Sequence, residues 1–209
     1  MKKLFVMFLG LLLCGITQAQ QVEVTLNNGG VVKWETPSLS FYVDNDHEII
    51  VKDKASGEKH DFTSTDVKEI KYYDKKAKEW MNWIPMVAQM GMSMSYKKEP
   101  KLYKNPIFLH PVYEGKNISA YIHYISTATH VKSGSFYGFG IMYYYKAKNE
   151  DFARSYYLKE NGITLGQKTM LKRYFQEYPQ TKEVLKDLDM KEFRKDPALF
   201  VKKLDEMIK

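Results

Sequence analysis

The chain has 209 residues, 44% hydrophobic and 14% aromatic, with a formal charge of +7 at pH 7 and one cysteine. That length can bury one sizeable core or two small ones, and a single cysteine excludes an internal disulfide framework and a multi-thiolate metal site. The basic residues are dispersed, with Lys75-Lys76-Lys78 and Lys97-Lys98 the densest groups, so they read as solvated lysines and no nucleic-acid partner is expected.

Residues 1–19 read as a signal peptide. Lys2 and Lys3 are followed by the apolar run Leu4 to Leu13, and Thr17-Gln18-Ala19 places small residues where signal peptidase cuts. The run is shorter than the ~20 residues a membrane-spanning helix needs. Leu11-Leu12-Leu13-Cys14 resembles a lipoprotein box, but the bulky Leu13 argues against lipid anchoring at Cys14. The mature chain is thus expected beyond the inner membrane, periplasmic or extracellular, with no further transmembrane span. Loss of Lys2 and Lys3 lowers the formal charge from +7 to +5. That excess suits an anionic envelope polymer or an envelope protein as partner without demanding either.

Residues 20–75 read as a β module. Val22, Val24 and Leu26 alternate with polar residues, Asn27-Asn28-Gly29-Gly30 supplies a hairpin turn, and Val31, Val32 and Trp34 return. Ser40 to Val43, Ile49 to Val51, His60 to Phe62 and Val67 to Tyr72 follow, separated by turns. Short strands at this spacing predict a small barrel or curled sheet. Asp44, Asp46 and Asp53 are turn acids whose spacing does not match a calcium loop.

Residues 80–165 read as an aromatic antiparallel sheet. Within it Ala88, Met90, Met92, Met94 and Tyr96 alternate with Gln89, Gly91, Ser93 and Ser95, which predicts a strand with its methionines on a buried face. Met86, Met90, Met92 and Met94 are also candidate thioether ligands for Cu(I). Ile107–Glu114 and Asn117–Ser126 flank Gly115-Lys116. A two-residue turn there places Ile107, Leu109, Pro111 and Tyr113 on one face with Ile118, Ala120, Ile122 and Tyr124. The same register sets His110 and His123 diagonally on the other face, as candidates for a shared metal, although no nearby acid completes a tetrahedral site. Because Pro111 cannot donate to a ladder, this strand is expected at an edge. Tyr143-Tyr144-Tyr145 and Tyr156-Tyr157 are expected to pack the sheet, with a ligand-stacking platform as the alternative.

Residues 166–209 read as two to three helices packed on that sheet. Met170, Leu171, Tyr174, Phe175 and Tyr178 form a stripe from Gln167 to the break at Pro179, and a short helix carries Val184, Leu185 and Leu188. Asp196-Pro197 opens a last helix bearing Leu199, Phe200, Leu204, Met207 and Ile208. The fold class is therefore α+β.

No nucleophile elbow, His-Glu-x-x-His or phosphate-binding glycine loop occurs. No catalytic residue and no cofactor is assigned, although paired carboxylates distant in sequence stay open. "VTLNNGGVVKWE … EIIVKD … STDVKEIKYYD" resembles the strand order of small Sm-like or SH3-like barrels, with Lys33-Trp34-Glu35 where those have a glycine. The mature chain, with "PVYEGKNISAYIHY", "YYLKENG" and "LKRYFQEYPQTKEVLK", resembles exported proteins of unknown function from Gram-negative bacteria. That resemblance implies export and a β-rich body with a helical tail, and no catalytic motif travels with it. The leading expectation is a non-enzymatic, envelope-associated binding or structural module. The alternatives are a hydrolase acting on envelope or extracellular polymers and a Cu(I)-binding protein.

Overall fold

The computed structural model describes residues 21–35, 38–41, 48–53, 56–74, 78–92, 96, 98–131, 134–159 and 167–208. The expected leader with Cys14, Met94 and residues 160–166 lie outside them.

The strands are β1 (Gln21–Leu26), β2 (Val31–Glu35), β3 (Ser38–Phe41), β4 (Glu48–Lys52), β5 (Lys59–Thr63), β6 (Val67–Asp74), β7 (Glu79–Met86), β8 (Ile107–Tyr113), β9 (Ile118–Val131), β10 (Gly134–Ala147) and β11 (Arg154–Lys159). Eight form one antiparallel sheet in the order β2-β1-β6-β7-β8-β9-β10-β11, and β3-β4-β5 form a second sheet. No pairing joins β2 to β11 among the described strands. The sheet is open, so of the two expected forms it is not the barrel. β6 pairs with β7, so strands from residues 20–75 and from residues 80–165 share this sheet.

The first hairpin forms as its residues dictate. Leu26 N donates to Gly30 O at 2.8 Å and Gly29 N to Leu26 O at 3.0 Å. Gly29 takes a φ of 86°, a left-handed value that a residue without Cβ adopts freely. The registers Val22↔Tyr72, Val24↔Ile70 and Ile70↔Trp83 put these side chains on one face. Val51 and Phe62 of the small sheet pack onto them. Farther along, Ile118, Ala120, Ile122, Tyr143 and Tyr145 bury against Leu171, Phe175, Phe193, Phe200 and Leu204 of the helical tail. Each fully buried side chain of this kind contributes roughly 1.5–3 kcal/mol. The opposite face is covered at its centre, where Ile107, Leu109, Met142 and Tyr144 meet Ala88 and Ala153. The tyrosine run thus packs both faces.

Two sheet expectations are corrected. The β8–β9 connection spans Glu114–Asn117, and the register is His110↔Ile122 and Pro111↔Tyr121, shifting by one to Tyr113↔Ala120 past a bulge. A one-residue slip exchanges faces, so Ile107 and Leu109 lie opposite to Ile118, Ala120 and Ile122, while the bulge returns Tyr113 to the helix-covered side. β8 is also interior, between β7 and β9. Its pairing with β7 runs over Ile84↔Leu109 to Met86↔Ile107 and stops short of Pro111. Two positions beyond that ladder, the Asn82 carbonyl that would face Pro111 is met at 2.7 Å by His110 Nδ1. The imidazole replaces the N–H that proline lacks.

The tail holds four described helices, one more than expected: α1 (Gln167–Tyr174), α2 (Thr181–Asp187), α3 (Met190–Lys195) and α4 (Ala198–Met207). Asp189 Oδ1 caps α3 by accepting from Lys191 N at 2.7 Å. Asp196 Oδ1 accepts from Ala198 N at 3.0 Å, so Asp196-Pro197 opens α4 as its residues predict. No helix among the described residues is long and apolar enough to cross a membrane.

Candidate functional site

A groove of about 500 Å3 opens where the β10–β11 turn meets the helical tail. Its lining includes Asn117, Lys148, Asn149, Glu150, Glu177 and Tyr178. The turn is fixed by Glu150 N donating to Ala147 O at 3.1 Å and Lys148 N donating to Asn117 O at 2.8 Å. Asn117 is tied to the end of α4, its Nδ2 donating to Ile208 O at 3.2 Å. Three distant stretches therefore share one wall.

Behind the turn lies a buried charge cluster. Arg154, only 5% exposed, donates through Nε to Glu150 Oε1 at 2.6 Å and through Nη2 to Lys98 O at 3.0 Å. Its guanidinium sits 4.5 Å from the Phe152 ring centroid and 5.1 Å from that of Tyr96, a desolvated cation–π arrangement. Burial works against the Arg154 charge, and the Glu150 contact outweighs it and holds the proton. Glu150 Oε2 is buried with no hydrogen-bond partner among the described residues. Burial first, then Glu150 and Glu177, push the Tyr178 phenol up to about 12. Burial and then Glu177 push Tyr96 up as well. Both phenols stay protonated at neutral pH, beside carboxylate acceptors.

His110 and His123 are not brought together. His110 is half-buried with its ring centroid 5.4 Å from that of Trp83, and its Nδ1 is engaged with Asn82 O. His123 is buried on the opposite face of the sheet, paired with Met142. Its Nδ1 lies 2.9 Å from Phe108 O, an arrangement that makes Nδ1 the donor. The register slip thus separates the proposed metal pair. No cluster of three or more His, Cys, Asp or Glu with metal-binding geometry occurs among the described residues.

Over its described residues 88–92 the methionine segment makes isolated bridges, Ala88 with Ala153 and Gln89 with Leu102, and not the expected strand. Gly91 then takes a φ of 63°, which ends the extended run. Gln89, expected outward, is 6% exposed, and Met90, expected inward, is 46% exposed. Met86 packs on the Ile107–Leu109 cluster, and Met92 touches that cluster and the helix-covered core. Met94 lies outside the described residues.

Sequence reasoning missed Glu150, Arg154 and Glu177. The signal within reach was local: Glu150 and Arg154 stand four apart across a turn, and an arginine opens a strand that continues Ser-Tyr-Tyr-Leu-Lys.

No family model matches the chain, and neither a curated protein nor a solved structure does.

Proposed function

We propose that this is an exported, envelope-associated protein with a non-enzymatic binding role, holding a small polar ligand in the Asn117–Glu150–Glu177–Tyr178 groove. The supporting observation is the lining itself. Two amides, two carboxylates, an ammonium and a phenol converge on one concavity, within the ~300–1,000 Å3 usual for ligand sites. Glu150 is held by Arg154, which favours a fixed recognition surface. A ligand rich in hydroxyl or amine groups would use the Glu177 carboxylate, the amides and the Tyr178 donor. The dispersed lysines leave an anionic envelope polymer or an envelope protein as the wider partner.

The test is thermal melting against Cu(I), Zn2+, lipopolysaccharide, peptidoglycan fragments and neutral glycans. A ligand selective for the folded state adds about 2.7 kcal/mol at a hundred times its dissociation constant. Glu177→Gln and Asn149→Ala should abolish the shift. A second reading, polymer hydrolysis, draws on the presence of two carboxylates in one cleft. Release of reducing ends that Glu177→Gln stops would replace the binding reading. A shift confined to Cu(I), and lost when Met86, Met90, Met92 and Met94 become leucine, would move the function to the methionines.

A further inference from the structure

A second cleft, of about 230 Å3, opens at the far end of the large sheet, with Gln21, Glu23, Lys33, Glu35 and Trp80 in its lining. By register, Glu35 pairs with Gln21 and Tyr73 with Trp80. Gln21 and Tyr73 stand one step beyond the Val22↔Tyr72 pair. The row Glu35–Gln21–Tyr73–Trp80 therefore crosses four strands on one face, opposite the face that carries Val22, Ile70 and Trp83.

Single exposed apolar residues are ordinary on protein surfaces, and three things set this row apart. Trp80 is 49% exposed despite its size. Tyr73 stands edge-on to it, centroids 5.5 Å apart at 61°, which fixes the indole while leaving ring surface open. The Gln21 amide and Glu35 carboxylate have no hydrogen-bond or ion-pair partner among the described residues, whereas Glu23 is engaged by Lys33 at 2.6 Å. An apolar ring thus shares one cleft with an unused acceptor and an unused donor–acceptor.

The geometry points to a glycan-binding subsite in which one neutral pyranose stacks on Trp80 and hydrogen-bonds Gln21 and Glu35. A pyranose has C–H bonds on one face and hydroxyls around its rim that both donate and accept, which matches an indole flanked by an amide and a carboxylate. The cleft is smaller than the ~300 Å3 at the lower end of ligand pockets, so it suits a single ring of a longer chain. A peptide added to β2 would use backbone groups of the strand edge and leave Gln21 and Glu35 idle. This subsite is independent of the groove at Glu150 and Glu177.

The test is iodide quenching of tryptophan fluorescence in the whole protein, with chitotetraose, cellotetraose and maltotetraose as probes. Trp83 is 2% exposed, so iodide reads mainly Trp80 and Trp34. At least one tetrasaccharide should cut quenching by about half at millimolar concentration, the range of a single stacked ring. By calorimetric titration, which does not depend on the Trp80 indole as reporter, Trp80→Ala should weaken binding at least about tenfold without moving the melting midpoint, and Glu35→Gln should weaken it less. Trp80→Phe should retain most of it, and Glu177→Gln should leave it unchanged. The proposal is overturned if none of the three alters quenching up to ~10 mM, or if affinity survives Trp80→Ala. It is overturned equally if an extended Val-Thr-Val-Thr-Val peptide gives the protection while the sugars do not.

Discussion

Tyr113, at the end of β8, donates its hydroxyl to Asp205 Oδ2 of α4 at 2.9 Å across 92 residues of sequence. The same oxygen accepts from Lys116 N at 3.0 Å, and Oδ1 accepts from Asn117 N at 2.7 Å and Ile118 N at 2.9 Å. One buried carboxylate therefore satisfies three backbone donors of the β8–β9 loop and fastens the last helix to the hairpin that supplies Asn117 to the groove. Tyr113→Phe removes one charge-assisted hydrogen bond and should cost about 1.5–3 kcal/mol in urea unfolding. Asp205→Ala strands all four donors and should cost more. Gly115→Ala should also destabilise, because its Cβ would run into Ile118 O and come within 2.6 Å of Asp205 Oδ2. Equal costs for the tyrosine and aspartate variants would show that the backbone donors find water instead.

Stability should fall with acid in two steps that begin at different pH. Burial lowers the His123 pKa from 6.5, more than its contact with the Phe108 carbonyl raises it. The unfolded chain then binds a proton that the folded one refuses, and stability declines as pH drops below 6.5 toward the folded value. For Asp205, burial alone would raise the pKa, but the hydrogen bonds from Asn117, Ile118, Tyr113 and Lys116 outweigh it and hold it below 3.8. Its contribution is complete above 3.8 and is lost as pH falls through the lower folded value. Melting midpoints followed from pH 8 to pH 2 should show both declines. His123→Gln should flatten the first and Asp205→Asn the second; a single decline unaffected by either variant would contradict the assignment.

The Glu150–Arg154 pair gives an asymmetric prediction. Both side chains are largely buried, and removing one partner leaves the other charge uncompensated, typically at about 3–5 kcal/mol. Arg154→Met and Glu150→Leu should each approach that loss. The double variant should recover much of it, since two apolar side chains replace two desolvated charges. Chemical denaturation of the four species completes the cycle. Additive losses would mean that the two residues act through separate neighbours, Lys98 and Phe152 for Arg154 and the turn for Glu150.

What the sequence made legible follows from the range of the forces involved. The Asn27–Gly30 turn and the Asp196 cap are set within a few residues, and both occur as read. The stripe of Leu171, Tyr174 and Phe175 identified a buried helix face because periodicity is local. The β8–β9 register was not legible: it depends on a bulge beside Pro111 and on a loop held by Asp205, almost ninety residues away. The groove was hidden for the same reason, since Glu150 and Glu177 come from separate turns joined only by the packing of the tail on the sheet. Even the number of helices turned on a short-range feature passed over, the Asp189 cap that lets Met190–Lys195 form its own turn of helix.

The methionines supply the last prediction. The period-two pattern placed Met90 and Met92 side by side on a buried face, whereas Gly91 turns the chain between them and exposes Met90. Met90→Ser should therefore change stability by less than about 0.5 kcal/mol, as for other surface positions. Met92 touches two core clusters, and Met92→Ala should cost roughly 1–3 kcal/mol, below the value for a fully buried methionine because the side chain is only partly covered. Gly91→Ala should destabilise by about 1–2 kcal/mol, since a φ of 63° is costly once a Cβ is present. Urea denaturation of the three variants orders these effects. If Met90→Ser proved as damaging as Met92→Ala, the segment would have to be an extended strand with both thioethers buried, and the turn at Gly91 would not be its native form.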